Sequence, residues 1–226
     1  MIKLKFIPDP LIACDFENVY YPSDDSFLLI DYFKDKISDN YFDGINVNEI
    51  EYILDLGTGT GIIAILFQFF KVKSKKFNPK IVASDILENS IECAKKNESL
   101  NKFHDEILFL QSDLFKSFPD SLKSMFNIII FNPPYLPSSP LITDNKKIDH
   151  SWDGGLKGFE ILIEFIKKVR NFLNLQKSHY IYYISSSRTN LEGLNITLDD
   201  LKFKSEIVKR KHIFFEDIIL NRITSL

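Results

Sequence analysis

Asn132-Pro133-Pro134-Tyr135 places an amide, two prolines and an aromatic ring directly after an apolar run, Ile128 to Phe131. The run reads as a buried strand because it is continuous, β-branched and aromatic. Asn132 precedes a proline, so its backbone is pushed towards extended geometry. The prolines hold φ at about −65° and carry no N–H, which makes the turn stiff and leaves its carbonyls free to face outward. A rigid amide, a row of carbonyl acceptors and an aromatic ring at a strand end suit a flat group bearing an NH2. Alone, the same residues equally suit an ordinary strand-to-loop turn, so the neighbouring motifs decide.

Asp55-Leu56-Gly57-Thr58-Gly59-Thr60-Gly61 lies between a strand pattern and a helix pattern, where doubly wound sheets bind ligands. Glycine is suited to a backbone that approaches a ligand closely or takes φ > 0. The spacing is G-x-G-x-G with an acid two residues ahead, not the dinucleotide fingerprint G-x-G-x-x-G. Asp55 would repel a pyrophosphate and attract a sulfonium or an α-ammonium, which favours S-adenosylmethionine over a nicotinamide dinucleotide. Asp85 closes the next strand, as an acid accepting from two ribose hydroxyls should. Asp113 is read as ending the third, where an adenine amino group could be received. One such acid is usually a cap or a solvated turn residue. Three at successive strand ends beside a glycine turn point to a site.

The elements that must position these groups follow from periodicity. Strands are read at 52–56, 81–84, 107–111, 128–131, 179–185, 203–209 and 213–220. Helices are read from 22–25 onward with Phe27, Leu28, Ile30 and Phe33 inward, and over 61–71, 89–99, 158–173 and 190–201. Residues 38–48 read as a polar loop, 71–80 as a solvated Lys-rich connector and 115–123 as a short helical or looped piece. Strand–helix alternation predicts an α/β fold, a single doubly wound, mainly parallel seven-stranded sheet. The last two strands must form an antiparallel hairpin, with Lys209-Arg210-Lys211 at its solvated tip. Residues 1–18 read as an N-terminal extension and 19–226 as one domain.

The formal net charge of −3 argues against a protein that holds nucleic acid mainly by electrostatics. The two cysteines, Cys14 and Cys93, fit no metal-ligand spacing and read as inert thiols. The N-terminus lacks the apolar core of a signal peptide, and the apolar run over 61–70 is far short of a membrane span. A soluble, cytoplasmic protein is expected, with no metal, no membrane contact and no stable nucleic-acid partner.

The set of motifs resembles a class I S-adenosylmethionine-dependent methyltransferase over nearly the whole chain. Asn132-Pro133-Pro134-Tyr135 is similar to the N/D-P-P-Y/F motif of enzymes that methylate planar amino or amide nitrogens. Val19-Tyr20-Tyr21-Pro22-Ser23-Asp24-Asp25-Ser26-Phe27-Leu28-Leu29 resembles the V-Y-x-P-x-x-D-T/S-F-L-L opening of the short HemK2 or Mtq2-type enzymes. Ser151-Trp152-Asp153-Gly154-Gly155-Leu156-Lys157-Gly158 resembles their W-x-G-G-x-x-G segment. The helical recognition domain of the longer bacterial enzymes has no room before Tyr20. Departures are Ser26 in place of the commoner Thr, and Leu156, Lys157 and Phe159 where more polar residues are usual.

The resemblance implies N5-methylation of the glutamine in the Gly-Gly-Gln motif of a class I release factor, and a heterodimer with a small zinc-ribbon activator protein. Phe67, Phe69, Phe70, Phe109, Phe115 and Phe118 are compatible with a covered apolar edge, but such residues are more often plain core. The expected cofactor site comprises Ser26, Asp55, Gly57, Gly59, Gly61, Asp85, Ile86, Asp113, Leu114 and Asn132. Asn132, Pro133 and Tyr135 are the expected catalytic residues. Asn132 Oδ1 and the Pro133 carbonyl would each accept one substrate N–H, and Tyr135 would stack on the amide. The resemblance also carries Asp25 and Ser26 over the cofactor. The alternatives are an adenine N6-methyltransferase acting on a flipped base, a lysine methyltransferase, and a catalytically silent scaffold, which would carry a damaged glycine turn or acceptor motif.

Overall fold

The computed structural model describes residue 4 and residues 6–135 and 159–225. The Trp152 segment and the start of the helix read from residue 158 lie outside them. Helix α1 (Asp24–Lys36) carries Asp24 and Asp25 in its first turn and Lys34 and Lys36 in its last, complementing the helix dipole. It buries Leu28, Leu29, Ile30, Tyr32 and Phe33, whereas Phe27 turns outward and is 44% exposed. Residues 38–48 are not the polar loop the sequence suggests. They form a hairpin, β1 (Tyr41–Phe42) and β2 (Ile45–Asn46), followed by a 3-10 turn at Val47–Glu49. Asp43 and Gly44 have φ of 46° and 91°, the left-handed pair that a two-residue hairpin turn requires.

The remaining elements are β3 (Tyr52–Leu56), α2 (Ile62–Lys73), β4 (Lys80–Asp85), α3 (Glu88–Leu100), β5 (Ile107–Gln111), β6 (Ile128–Phe131), α4 (Glu160–Val169), β7 (Tyr180–Ser186), α5 (Leu191–Asp200), β8 (Phe203–Ile213) and β9 (Glu216–Ser225). The piece over 115–123 contains a 3-10 turn at Asp120–Leu122. The large sheet has seven strands in the order β5-β4-β3-β6-β7-β9-β8. Strands β3 to β7 run parallel, and β9 is antiparallel to both neighbours. The fold is the α/β doubly wound sheet expected from the alternation.

One boundary moves. Strand β8 extends to Ile213, so Lys209, Arg210 and Lys211 pair with Leu220, Ile219 and Ile218 inside the ladder. The turn falls instead at Phe214 and Phe215.

Alternate residues of each central strand fill opposite faces. Ile53, Ile128, Ile130 and Tyr182 pack with α1 and α2, while Leu54, Ile129, Phe131 and Tyr183 pack with α4 and α5. Phe67, Phe70, Phe115 and Phe118 are buried in these layers, and Phe69 and Phe109 pack at their margin. A buried polar network locks the hairpin to the sheet. Asp43 Oδ2 accepts from Tyr32 Oη and Tyr182 Oη, each at 2.7 Å, and from an Arg222 guanidinium N–H at 2.8 Å.

The chain order reverses between β3 and β6, and ligands in such sheets bind beyond the carboxyl ends at that crevice. Leu56 pairs with Phe131, so the next residues, Gly57 and Asn132, leave the sheet side by side. The glycine turn and the acceptor motif are therefore neighbours by register.

Candidate active site

A cavity of about 690 Å³ opens at this crevice, lined by Ser26, Asp55, Gly57, Gly59, Asp85, Ile86, Asp113, Leu114, Asn132, Pro133, Pro134 and Tyr135, together with Tyr20, Asp25, Ile161 and Glu164. That volume is ordinary for a small-molecule or cofactor site. The described lining residues include no Lys, Arg or His, but several carboxylates. A cationic ligand finds counter-charge there and a pyrophosphate finds none.

Gly57, Gly59 and Gly61 take φ of 68°, 53° and 82°, a region that suits glycine. Gly57 and Gly59 face the cavity; Gly61 does not line it. A Cβ on Gly61 would lie 2.9 Å from Ala94 Cβ, so this glycine serves the close packing of α2 on α3. Asp55 organises the loop from below. Its Oδ2 accepts from Thr58 Oγ1 at 2.6 Å and from the Ala64 N–H at 3.2 Å. Burial, reinforced by Asp85 and opposed by the Thr58 and Ala64 hydrogen bonds, pushes its carboxyl up to about 7. Any cation in the cavity would favour its ionised form.

Asp85 is 9% exposed, and burial raises its carboxyl above the usual range. Its Oδ2 accepts from the Gly59 N–H at 2.9 Å and its Oδ1 from the Leu87 N–H at 3.0 Å. Ser90 and the Ile86 N–H also hydrogen-bond to this carboxylate, which lines the cavity as an acceptor for ligand hydroxyls. Strand β5 stops at Gln111, so Asp113 lies two residues beyond the strand rather than at its end. Its carboxylate pairs with Lys116 at 2.5 Å. Ile86 and Leu114 contribute apolar surface between these acids, and Leu114 holds a left-handed φ of 49°.

Asn132 Oδ1 is buried and has no hydrogen-bond partner among the described residues. A buried orphan acceptor is uncommon because its desolvation costs about 1–3 kcal/mol. Tyr135 is fixed at both ends. Its hydroxyl donates to Asp25 Oδ2 at 3.3 Å, and its carbonyl accepts from Thr189 Oγ1 at 3.1 Å. Asp25 is 3% exposed and also accepts from Tyr20 Oη at 3.0 Å and from the Ser26 N–H at 2.5 Å. Burial and the Asp25 charge raise both tyrosine hydroxyls far above their ordinary range, so both remain protonated donors.

Tyr20 and Asp25 appear in the sequence only as part of the opening motif; their link to Tyr135 spans 110 residues and has no spacing signal. Glu164 and Ile161 had no signal either. The segment before Tyr20 is lashed to α3: the Ala13 N–H donates to Asn97 Oδ1 at 2.9 Å and the Leu11 N–H to Asn101 Oδ1 at 2.8 Å. Asn97 Nδ2 in turn donates to the Thr60 carbonyl at 3.0 Å, tying that strap to the glycine turn.

The Methyltransferase domain family profile matches residues 48–214. A Methanocaldococcus jannaschii protein that carries the provisional name protein N5-glutamine methyltransferase is 34% identical over 219 residues, 97% of this chain and 93% of its own. The chain belongs to the methyltransferase family of that relative. The human methyltransferase HEMK2 is 24% identical over 76% of this chain and 74% of its own. The Mtq2 structure from the E. cuniculi Mtq2–Trm112 complex, described as responsible for methylating the termination factor eRF1, superposes with a TM-score of 0.62. It is 20% identical and covers 92% of this chain and 99% of that one, which shows a shared fold.

The methyltransferase uses S-adenosyl-L-methionine, and its cavity fits that group: a carboxylate acceptor at Asp85, side-chain-free backbone at Gly57 and Gly59, and carboxylates in place of cations. No helix among the described residues is long and apolar enough to cross a membrane.

Proposed function

We propose that this methyltransferase acts on the side-chain amide of glutamine in the Gly-Gly-Gln motif of a class I translation release factor. The observation that carries the reading is the unpartnered, buried Asn132 Oδ1 beside the glycine turn. It is an acceptor held ready for an N–H that no described residue supplies. The names of the relatives agree with a glutamine target: the Methanocaldococcus protein, and the Chlorobaculum tepidum release factor glutamine methyltransferase, 25% identical over 58% of this chain.

Ser26, Gly57, Gly59, Asp85, Ile86, Asp113 and Leu114 would hold the cofactor. When bound, S-adenosyl-L-methionine supplies an electrophilic methyl group beside the acceptor turn. The chain's residues do the rest by position. An amide nitrogen is a weak nucleophile because its lone pair is delocalised. Asn132 Oδ1 and the Pro133 carbonyl accept its two N–H groups, aiming the nitrogen and favouring the more amine-like geometry of the transition state. Acceptors already in place act without reorganisation, and orientation alone can supply up to about 7–11 kcal/mol. Tyr135, held by Asp25 and Thr189, walls the amide plane. The nitrogen sheds its proton to water after transfer, so no dedicated base is needed.

A small zinc-ribbon activator protein as heterodimer partner belongs to the same reading, supported by the Mtq2–Trm112 assembly named for the structural relative. Strand β5 ends the sheet with Leu108 half exposed, a surface such a partner could cover. A release-factor substrate also places the enzyme in the cytoplasm.

The test is methyl transfer from tritiated cofactor to three acceptors: a release factor, the same factor with its Gly-Gly-Gln glutamine changed to alanine, and an adenine-containing DNA duplex. Label on the first alone supports the proposal. Label on the duplex, or equal label on both release factors, would reassign the substrate to a base or a lysine.

A further inference from the structure

The β8–β9 turn carries a pair of residues that the fold itself does not call for. Phe214 and Phe215 are 90% and 99% exposed, the two most exposed large apolar side chains among the described residues. Phe214 also holds a φ of 41°. Positive φ at the first central position of a two-residue hairpin is the place of glycine, and a bulky residue there is a true outlier. Two bare phenylalanines, one of them strained, oppose both stability and solubility. Such residues are usually retained for an interaction.

Where the tip sits identifies its occupant. The Ser187 N–H donates to the Asp217 carbonyl at 2.9 Å, and the Asp217 N–H donates to Ser187 Oγ at 3.0 Å, fastening the tip to the end of β7. Two residues on, Thr189 holds the Tyr135 carbonyl. On the other side, Lys211 pairs at 2.8 Å with Asp24, the neighbour of the carboxylate that anchors the Tyr135 hydroxyl. The hairpin is therefore braced beside both supports of the acceptor turn and projects its tip from the same end of the sheet as the cavity. The residue that follows the tip is Glu216, whose Oε2 is buried without a hydrogen-bond partner among the described residues.

We infer that Phe214 and Phe215 dock an apolar patch of the folded protein that presents the target amide, with Glu216 accepting an N–H from that protein. The inference rests on the reading of a protein amide as substrate. A macromolecule whose side chain enters the cleft must lay its flanking surface on the end of the sheet from which this tip projects, and a polypeptide supplies both apolar surface and N–H donors. The exposed basic residues nearest the tip, Arg210, Lys211 and His212, are paired with Asp217 and Asp24, so a nucleic acid would meet two phenylalanines and a carboxylate beside charges already partnered.

The deciding experiment compares the wild type with Phe214→Gly/Phe215→Ser and with Phe214→Tyr/Phe215→Tyr, using a purified class I release factor as acceptor. The Gly/Ser variant is expected to raise KM for the release factor about tenfold, the loss of one aromatic anchor contact. Its kcat and its affinity for S-adenosylhomocysteine should stay unchanged, and its Tm should hold or rise because glycine relieves the strained φ. The tyrosine variant should keep the wild-type KM. An active wild type with an unchanged KM in the Gly/Ser variant would overturn docking while leaving the glutamine reading intact. A fall in Tm and kcat together would make the tip structural. A wild-type dimer that the Gly/Ser variant breaks, with KM unmoved, would assign the tip to a second copy of this chain. A wild type inactive on release factor even when assayed as the complex with its activator would overturn the glutamine reading and docking together.

Discussion

The Tyr135 hydroxyl donates to Asp25 Oδ2 at 3.3 Å, joining the acceptor turn after β6 to the first turn of α1. Tyr20 donates to the same carboxylate, so one buried anion holds two rings at the mouth of the cavity. Tyr135→Phe deletes one donor and keeps the ring. Given about 1–3 kcal/mol for a hydrogen bond to a buried charge, it should lower kcat/KM for the acceptor by roughly tenfold or more. Cofactor affinity should change little. Steady-state kinetics beside calorimetry with S-adenosylhomocysteine separates the two.

Asn132→Ala removes the orphan acceptor while leaving the prolines to hold the turn. Loss of one preorganised polar group aimed at the reacting atom should reduce kcat roughly a hundredfold or more. S-adenosylhomocysteine affinity should stay within a few fold. A variant that keeps most of its activity would exclude Asn132 from the assigned role.

Asp85→Ala should do the reverse. It removes the acceptor for the Gly59 and Leu87 N–H groups along with the carboxylate that faces the cofactor cavity. Cofactor affinity should fall at least tenfold by calorimetry.

Asp55 gives the site a pH dependence. Its folded-state value, pushed up to about 7 by burial, lies above its unfolded value, so the protonated form is the one the fold prefers. The stability that proton provides is present at acid pH and fades as pH rises through about 7. A cationic ligand favours the ionised form. The affinity for S-adenosylmethionine should therefore tighten from pH 5.5 towards about 7.5, and the cofactor-induced gain in Tm should grow over the same interval. Asp55→Asn should flatten both curves.

Asp43 behaves in the opposite sense. Burial alone would raise its carboxyl, but hydrogen bonds from Tyr32 and Tyr182 and the charges of Arg222 and Lys36 outweigh burial and lower it. Its stabilisation is present above the unfolded value of about 4 and is lost as pH falls below it. Asp43→Ala leaves Arg222 and two buried hydroxyls without this partner and should destabilise by about 3–5 kcal/mol in urea titrations.

The chain's own grammar made the centre of the site legible. The apolar runs of β3, β4 and β6 give way to polar residues at or near their carboxyl ends, so the pattern alone places Asp55, Asp85 and Asn132 at the crevice. Gly57 and Gly59 were legible for the same reason. Gly61 was not separable from them, because close packing on Ala94 and close approach to a ligand both select glycine. The hairpin at Asp43-Gly44 had a turn signal, but the polar residues around it masked the buried Phe42 and Ile45. Strand β8 misled for a physical reason: it is an edge strand with a bulge between Ile207 and Lys209 and few buried residues. Charged side chains are what an exposed edge carries to discourage pairing, and they resemble a turn. The Asp25–Tyr135 bond depends on the register of the whole sheet, which no local pattern reports.

The most direct measurement is fragmentation mass spectrometry of a release factor methylated by the purified enzyme with S-adenosylmethionine, together with any activator it needs. The account predicts a single methyl group on the side-chain nitrogen of the Gly-Gly-Gln glutamine, absent when Asn132→Ala enzyme is used. A methyl group confined to a lysine, or none on the release factor while an adenine base is methylated, would contradict it.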